Sequence, residues 1–339
     1  MVSRFMSDRL VHPRGPHVPL PVRNGLTATR ARLPDNSDPI SAANFLNELI
    51  SSQRHRHPDD NESALLERFQ AGQVRLRNGT ILAPESLVSA GQDVFFYRTP
   101  APETPVPYDI EILHRDNDLL VVDKPPYLAT MPRGRHITET VTVRLRRDLD
   151  LPDLVPAHRL DRLTSGVLMF TLRKEVRGAY QSLFAQRKVA KAYEAIATLD
   201  PDLASSTPVD WASQMTKQPG DIQGHIVEGE PNAFTQLVDV APLSQAEQLA
   251  LEQLHGPLPP QARYLLHPET GRTHQLRLHM WAAGVPILGD PVYPRIYSVE
   301  EEDMSVPMHL RARSLSFIDP LSGLLREFWA PRQGHLSSN

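Results

Sequence analysis

Four prolines fall within the nine residues Thr99 to Pro107, TPAPETPVP. Proline fixes φ and removes a backbone donor, so neither a helix nor a central strand can run through this stretch. It reads as an extended, semi-rigid spacer that divides the chain. With 339 residues in all, a small unit can precede the break and a full core can follow it. The expected organisation is an irregular N-terminal arm over 1–38, a small module over 39–98, the linker over 99–107, a large domain over 108–332 and a tail over 333–339.

In the first unit, ANFLNELI and ALLERFQAG repeat apolar positions at helical spacing, and QVRLRNGTILAPESLVSAGQDVFFYR then reads as strands around turns. Asn78-Gly79 is a hairpin-turn pair. Beyond the linker, DIEILHRDNDLLVVDKPP, AKAYEAIATL and ARYLLHPETG have strand character, while RGAYQSLFAQRKV is helical. Strands without a βαβ rhythm indicate an α+β fold with a mainly antiparallel, mixed sheet.

Composition excludes several classes. The chain has no cysteine, which removes disulfides, thiol nucleophiles and thiolate metal sites. No apolar run approaches the ~20 residues of a membrane span. The N-terminal MVSRFMSDRLVHPRGPHVPL lacks a continuous apolar core, so a cytoplasmic protein is expected. Net charge is −4, yet His158 to Lys191 carries eight Lys or Arg against Asp161 and Glu175, a local net of +6 that could meet phosphates.

Histidines offer little for a metal. His274 and His279 in HQLRLH are five apart, not the four of a helical zinc pair. As alternate residues of a strand, Thr273, Gln275, Arg277 and His279 would share one face. His55, His57, Asp59 and Asp60 lie in the polar insert QRHRHPDDNE, and no metal is assigned to them.

The most specific segment is His158-Arg159-Leu160-Asp161-Arg162-Leu163-Thr164-Ser165-Gly166, running into the apolar strand VLMF. An aspartate between two arginines is by itself an ordinary ion pair. Followed by a Thr-Ser-Gly turn, it becomes a carboxylate held against a sheet edge, because glycine reaches φ > 0 and the hydroxyls bond locally. Val189-Ala190-Lys191-Ala192-Tyr193-Glu194-Ala195 comes next, then Gly271-Arg272-Thr273-His274-Gln275-Leu276-Arg277-Leu278-His279 and GVPILGDPVY.

In type and order these segments resemble the HRLDxxTSG, K-x-Y and G-R-x-H-Q-[LI]-R signatures of RluA-like pseudouridine synthases. The likeness, with DNDLLVVDKPPYLATMP, covers roughly residues 108–332. Residues 39–98 resemble, through Gly72-Gln73-Val74, Asn78-Gly79 and Gly91-Gln92-Asp93, a small RNA-binding module named after a small-subunit ribosomal protein. The QRHRHPDDNE insert would alter its RNA-binding face.

The resemblance implies an isomerase that converts uridine in rRNA or tRNA to pseudouridine without cofactor or metal. It implies Asp161 as the catalytic aspartate, acting as a nucleophile or as a base on the ribose. It further implies Arg272 as the partner that keeps Asp161 ionised, and Tyr193 as the ring that stacks on the flipped base or takes its C5 proton. Arg159 would fill the gap left in the RNA, Lys191 and Arg277 would contact phosphate or the site, and Leu276 would wall the pocket. A monomer selecting RNA by shape is expected, with large-subunit rRNA or tRNA as partner and no membrane. The alternative is a non-catalytic RNA-binding or ribosome-assembly protein on the same fold.

Overall fold

A computed structural model describes residues 19–298 and 302–331, so much of the arm and the tail lie outside the described residues. The chain forms two compact units. Among the described residues, one holds those up to Pro105 together with Met131–Pro152; the other holds Val106–Thr130 and those from Asp153 onward.

The first unit contains β1 (Thr29–Arg32), β2 (Ile40–Ser41), α1 (Ala42–Ser51), α2 (Glu62–Gln70), β3 (Arg75–Leu76), β4 (Leu87–Val88) and β5 (Asp93–Phe96). Ser41 and Asn61 cap the two helices by accepting from the Asn44 and Ala64 amides. Leu46, Leu65, Val74, Val94 and Phe96 fill the core. The polar insert is tied down by an ion pair between Asp60 and Arg68.

The arm departs from the irregular segment expected. Thr29–Arg32 pairs antiparallel with β5, because Ala31 on its inner face is buried in the core. Four residues of alternation are too few to stand out in a sequence. The stretch 131–152 also departs from the continuous second domain expected: its helix α3 (Val141–Asp148) packs in the first unit. Gly25 at φ +79 abuts the Val143 carbonyl there, and the Glu103 carboxylate accepts from the amides of Ile137, Thr138 and Glu139.

The second unit is α+β. Its strands are β6 (Glu111–Arg115), β7 (Leu119–Lys124), β8 (Val155–Pro156), β9 (Ser165–Thr171), β10 (Val189–Thr198), β11 (Val209–Thr216), β12 (His225–Val227), β13 (Ala233–Pro242), β14 (Gln261–Pro268), β15 (Leu310–Ile318) and β16 (Leu325–Trp329). Among the described residues they form one sheet in the order β12-β11-β13-β14-β10-β15-β9-β7-β6, with β16 on β15 and β8 on β9. Every pairing is antiparallel except β15 with β9. Helices α4 (Arg177–Ala185), α5 (Pro201–Ser206), α6 (Gln245–His255) and α7 (Gln275–Ala282) connect the strands. Tyr180 and Leu183 of α4 close over Met169, Val189 and Phe317.

Candidate active site

Asp161 sits in the turn that enters β9, where its carbonyl accepts from the Thr164 amide at 3.1 Å. The Thr-Ser-Gly that follows is needed for close packing. Gly166 has φ +108, and a Cβ there would lie 2.6 Å from the Ala312 nitrogen and against its carbonyl oxygen. Backbone of β15 therefore fills the space a side chain would take.

The turn is fastened on both sides of Asp161. The Thr130 hydroxyl donates to the Leu160 carbonyl at 2.8 Å and accepts from the Leu160 amide at 3.2 Å. The fully buried Lys124 ammonium donates to the carbonyls of Pro125 (2.8 Å), Leu128 (2.7 Å) and Arg162 (2.9 Å). Three donors meet three acceptors, which satisfies an ammonium completely. Burial still pulls the Lys124 pKa well below its usual value, and the charge on Asp161 opposes that. Arg162 turns away from Asp161 to pair with Glu302.

Sheet register brings Tyr193 to the same place. Ala312 of β15 stands opposite Gly166 of β9 on one side and Tyr193 of β10 on the other. Two strand spacings, roughly 10 Å, therefore separate Gly166 from Tyr193. Burial, and then the charge on Asp161, push the Tyr193 phenol well above its usual range, so it is neutral at pH 7.

Arg277 supplies the cation. Its Nη1 lies 4.0 Å from Asp161 Oδ2, and its side chain is 3% exposed against 32% for Asp161. Asp290, fully buried, accepts from Arg277 Nε at 2.7 Å and Nη2 at 2.6 Å, and also from the amides of Val292 (2.8 Å) and Tyr293 (3.1 Å). The Tyr293 ring lies 5.3 Å from the guanidinium carbon. Burial disfavours the charge on Arg277, but the hydrogen bonds and charge of Asp290, then Asp161, outweigh it and raise its pKa.

The expected pair between Arg272 and Asp161 is not formed. Arg272 is exposed, donates from Nε to the Asn232 carbonyl at 3.1 Å, and leaves the ion pair to Arg277. Nor is this segment a strand with Thr273, Gln275, Arg277 and His279 on one face. It turns at His274 (φ +58) into α7, whose residues 275–280 are all buried. Full burial removes the polar outer face that alternation would have reported, so the pattern misleads. The Gln275 amide fixes the turn, donating to the Phe234 carbonyl and Thr235 hydroxyl at 2.9 Å and accepting from the Arg272 amide at 3.0 Å.

The other motif residues separate into exposed and structural. Arg159 is exposed and makes no ion pair among the described residues. Leu276 is buried in α7. Lys191 Nζ donates to the Thr270 carbonyl at 3.2 Å, and burial, then Arg187, lower its pKa. His158 is structural: its Nε2 accepts from the Met169 amide at 3.2 Å, its ring stacks on Phe184 at 4.5 Å, and burial, then Lys191, lower its pKa to about 3. Burial, then Arg277, bring His274 to about 4, and its Nδ1 shares a 3.0 Å hydrogen bond with the Tyr293 hydroxyl.

The basic stretch 158–191 is less positive than its count. Arg162, Arg173, Lys174 and Arg177 pair with Glu302, Asp118 and Asp153 from outside it. Among the described residues no three His, Asp or Glu side chains converge as a metal site, and no helix is long and apolar enough to cross a membrane.

Asp290 and Tyr293 carried no sequence expectation, although Asp290 is the one acid between Glu269 and Glu300 in a stretch holding three arginines. A buried arginine requires an acid, and that was the available signal.

A carboxylate beside a clamped guanidinium and a half-buried neutral phenol suits the loss and return of a base at a sugar carbon. The family model for RNA pseudouridylate synthase matches residues 118–282. RNA pseudouridine synthase 5 of Arabidopsis thaliana is 27% identical over 261 residues, spanning 67% of this chain, which in turn covers 66% of that protein. The dual-specificity RNA pseudouridine synthase RluA of Escherichia coli K12 is 32% identical over 223 residues, 65% of this chain and 92% of that protein. Among solved structures, human RNA pseudouridylate synthase domain containing 1 superposes with a TM-score of 0.52 at 26% identity, over 68% of this chain and 85% of that one. On these grounds the chain belongs to the RluA-like RNA pseudouridine synthases.

Proposed function

We propose that the isomerisation is carried out at Asp161, with Arg277 setting positive charge beside that carboxylate and Tyr193 receiving the base. The C1′–N1 bond of a uridine breaks, the base turns, and C1′ joins C5; the proton on C5 is lost and N1 gains one. Nothing enters or leaves overall, so no second carboxylate is needed to activate water. Asp161 acts on C1′ or on a ribose proton, and either role needs the ionised form.

The observation that carries this reading is the contact of Asp161 with Arg277 at 4.0 Å, the guanidinium being saturated on its other edge by Asp290. An arginine already committed elsewhere sets positive charge beside a carboxylate without occupying its lone pairs. Those lone pairs stay available to the substrate. Tyr193, neutral at pH 7, suits stacking; an aromatic–base contact contributes about 1–3 kcal/mol, comparable to the few kcal/mol that flipping a base costs. Exposed Arg159 suits a cation that enters the vacated stack, and Lys191 and Leu276 complete the proposed binding residues.

The proposed substrates are structured RNAs, large-subunit rRNA or tRNA, met in the cytoplasm by a monomer. The dual specificity in the name of the Escherichia coli relative supports a site that accepts more than one RNA. The test is purified enzyme with total RNA from a strain lacking its gene, and pseudouridine counted by mass spectrometry. Asp161→Ala is expected to bind RNA and form none. Equal turnover by variant and wild type would refute the assignment, and RNA binding without turnover by either would favour the non-catalytic alternative.

A further inference from the structure

The rim beside Arg277 carries more exposed aromatic surface than a solvated edge needs. Tyr293, 1% exposed, packs against Arg277 on one side and against Trp281 of α7 at 5.4 Å on another, and the Trp281 ring is 39% exposed. Four residues after Tyr293, Tyr297 is 44% exposed, with Ile296 at 46% beside it. The Arg295 guanidinium lies 4.4 Å from the Tyr297 ring centroid. The loop that presents these residues is closed on itself, the Tyr297 amide donating to the Pro291 carbonyl at 2.8 Å. It begins at Asp290, the clamp on Arg277, so it is built from the same segment that positions the charge at the site.

Contiguous exposed apolar surface marks a recognition site where a single exposed ring would not, and Ile296 and Tyr297 are exposed side by side in the chain. A tyrosine with a guanidinium on one face and solvent at its edge presents the stacking and cation–π chemistry by which unpaired bases are held. A phosphate-only contact would call for cations without rings; rings with a guanidinium also serve protein interfaces, and RNA is the occupant favoured because the loop runs on from Asp290, whose partner Arg277 stands beside Asp161. We infer that Arg295 and Tyr297 form a stacking site for an unpaired nucleobase next to the target uridine, with Trp281 on Tyr293 of the same loop as a further exposed ring, so that this rim grips the strand from which the base is extruded. The inference rests on the reading of Asp161 as the site of uridine chemistry, and assigns that site a second, stacking subsite.

The test uses the full chain and a hairpin RNA whose loop is uridine except for one 2-aminopurine, whose fluorescence falls when it stacks. Wild type is expected to quench it on binding. Tyr297→Ala is expected to lose most of the quench and to bind about five- to hundredfold more weakly, the span given by one base stack. Trp281→Ala should act in the same direction, whereas Tyr297→Phe, which keeps the ring, should stay within about twofold of wild type. Leu249→Ala, on an exposed position of α6, is the control for surface change. Unchanged affinity and quench in Tyr297→Ala would overturn the stacking site while leaving the reading of Asp161 intact. Wild type that binds no RNA at all would overturn both.

Discussion

Removing the carboxylate of Asp290 takes away two charge-assisted hydrogen bonds, at 2.7 and 2.6 Å, from a guanidinium that is 3% exposed. The Val292 and Tyr293 amides lose their acceptor as well. Breaking a buried pair by deleting one partner costs about 3–5 kcal/mol, because the other charge stays buried and uncompensated. For a folded unit of roughly 150–250 residues each kcal/mol moves the melting temperature about 2–4 °C, so Asp290→Ala should melt roughly 6–20 °C lower. Arg277 is then free to close its 4.0 Å gap to Asp161 and to occupy the lone pairs that the substrate needs. A displacement of about 1 Å at a reacting group costs on the order of a hundredfold in rate. Thermal unfolding by circular dichroism and single-turnover release of tritium from 5-tritiated uridine RNA would read the two effects. The double variant Asp290→Ala/Arg277→Met should regain the part of the stability lost to the uncompensated charge, though not that of the Val292 and Tyr293 amides, and none of the rate. A single variant that melts within about 1 °C of wild type, or a double variant no more stable than the single, would refute the clamp.

Other outcomes follow from the same contacts. Gly166→Ala puts a methyl group on the Ala312 backbone at a positive φ, so it should destabilise by more than the usual glycine-to-alanine effect, seen as a lower urea midpoint. Lys124→Met leaves the Pro125, Leu128 and Arg162 carbonyls without a donor, at about 1–3 kcal/mol for each group left unsatisfied, and should lower the denaturation midpoint. The pKa of His158 is about 3 in the fold and ~6.5 when unfolded, so below pH ~6.5 the unfolded chain binds the extra proton. Its contribution is full above pH ~6.5 and is lost as pH falls towards 3; His158→Gln should flatten the fall of stability over that window, and an unchanged slope would contradict the burial argument.

What the sequence made legible were features whose cause is local. A turn of threonine, serine and glycine between a carboxylate and an apolar strand can be read because Gly166 must pass another backbone, and the structure presses Ala312 against it. Strands β7, β9, β10 and β14 could be read from runs of β-branched and aromatic residues. The exchange of Arg272 for Arg277 could not, because it depends on α7 starting at a left-handed His274 and turning residue 277 inward to Asp290. The helix itself was hidden for a related reason: both polar and apolar residues of 275–280 are buried, leaving no period that reports a solvent face. The return of 131–152 to the first unit rests on Gly25 meeting Val143 and on Glu103 capping 137–139, long-range pairs with no local trace.

In the proposed mechanism the carboxylate of Asp161, with Arg277 still committed to Asp290, faces the sugar of an extruded uridine. The decisive measurement is a crystal structure of the enzyme with a hairpin RNA carrying 5-fluorouridine at the modified position. The pyrimidine is expected against Tyr193, with a carboxylate oxygen of Asp161 within about 3–3.5 Å of the ribose atom it attacks. A base bound away from Tyr193, or Asp161 paired with Arg272 in the complex, would contradict it.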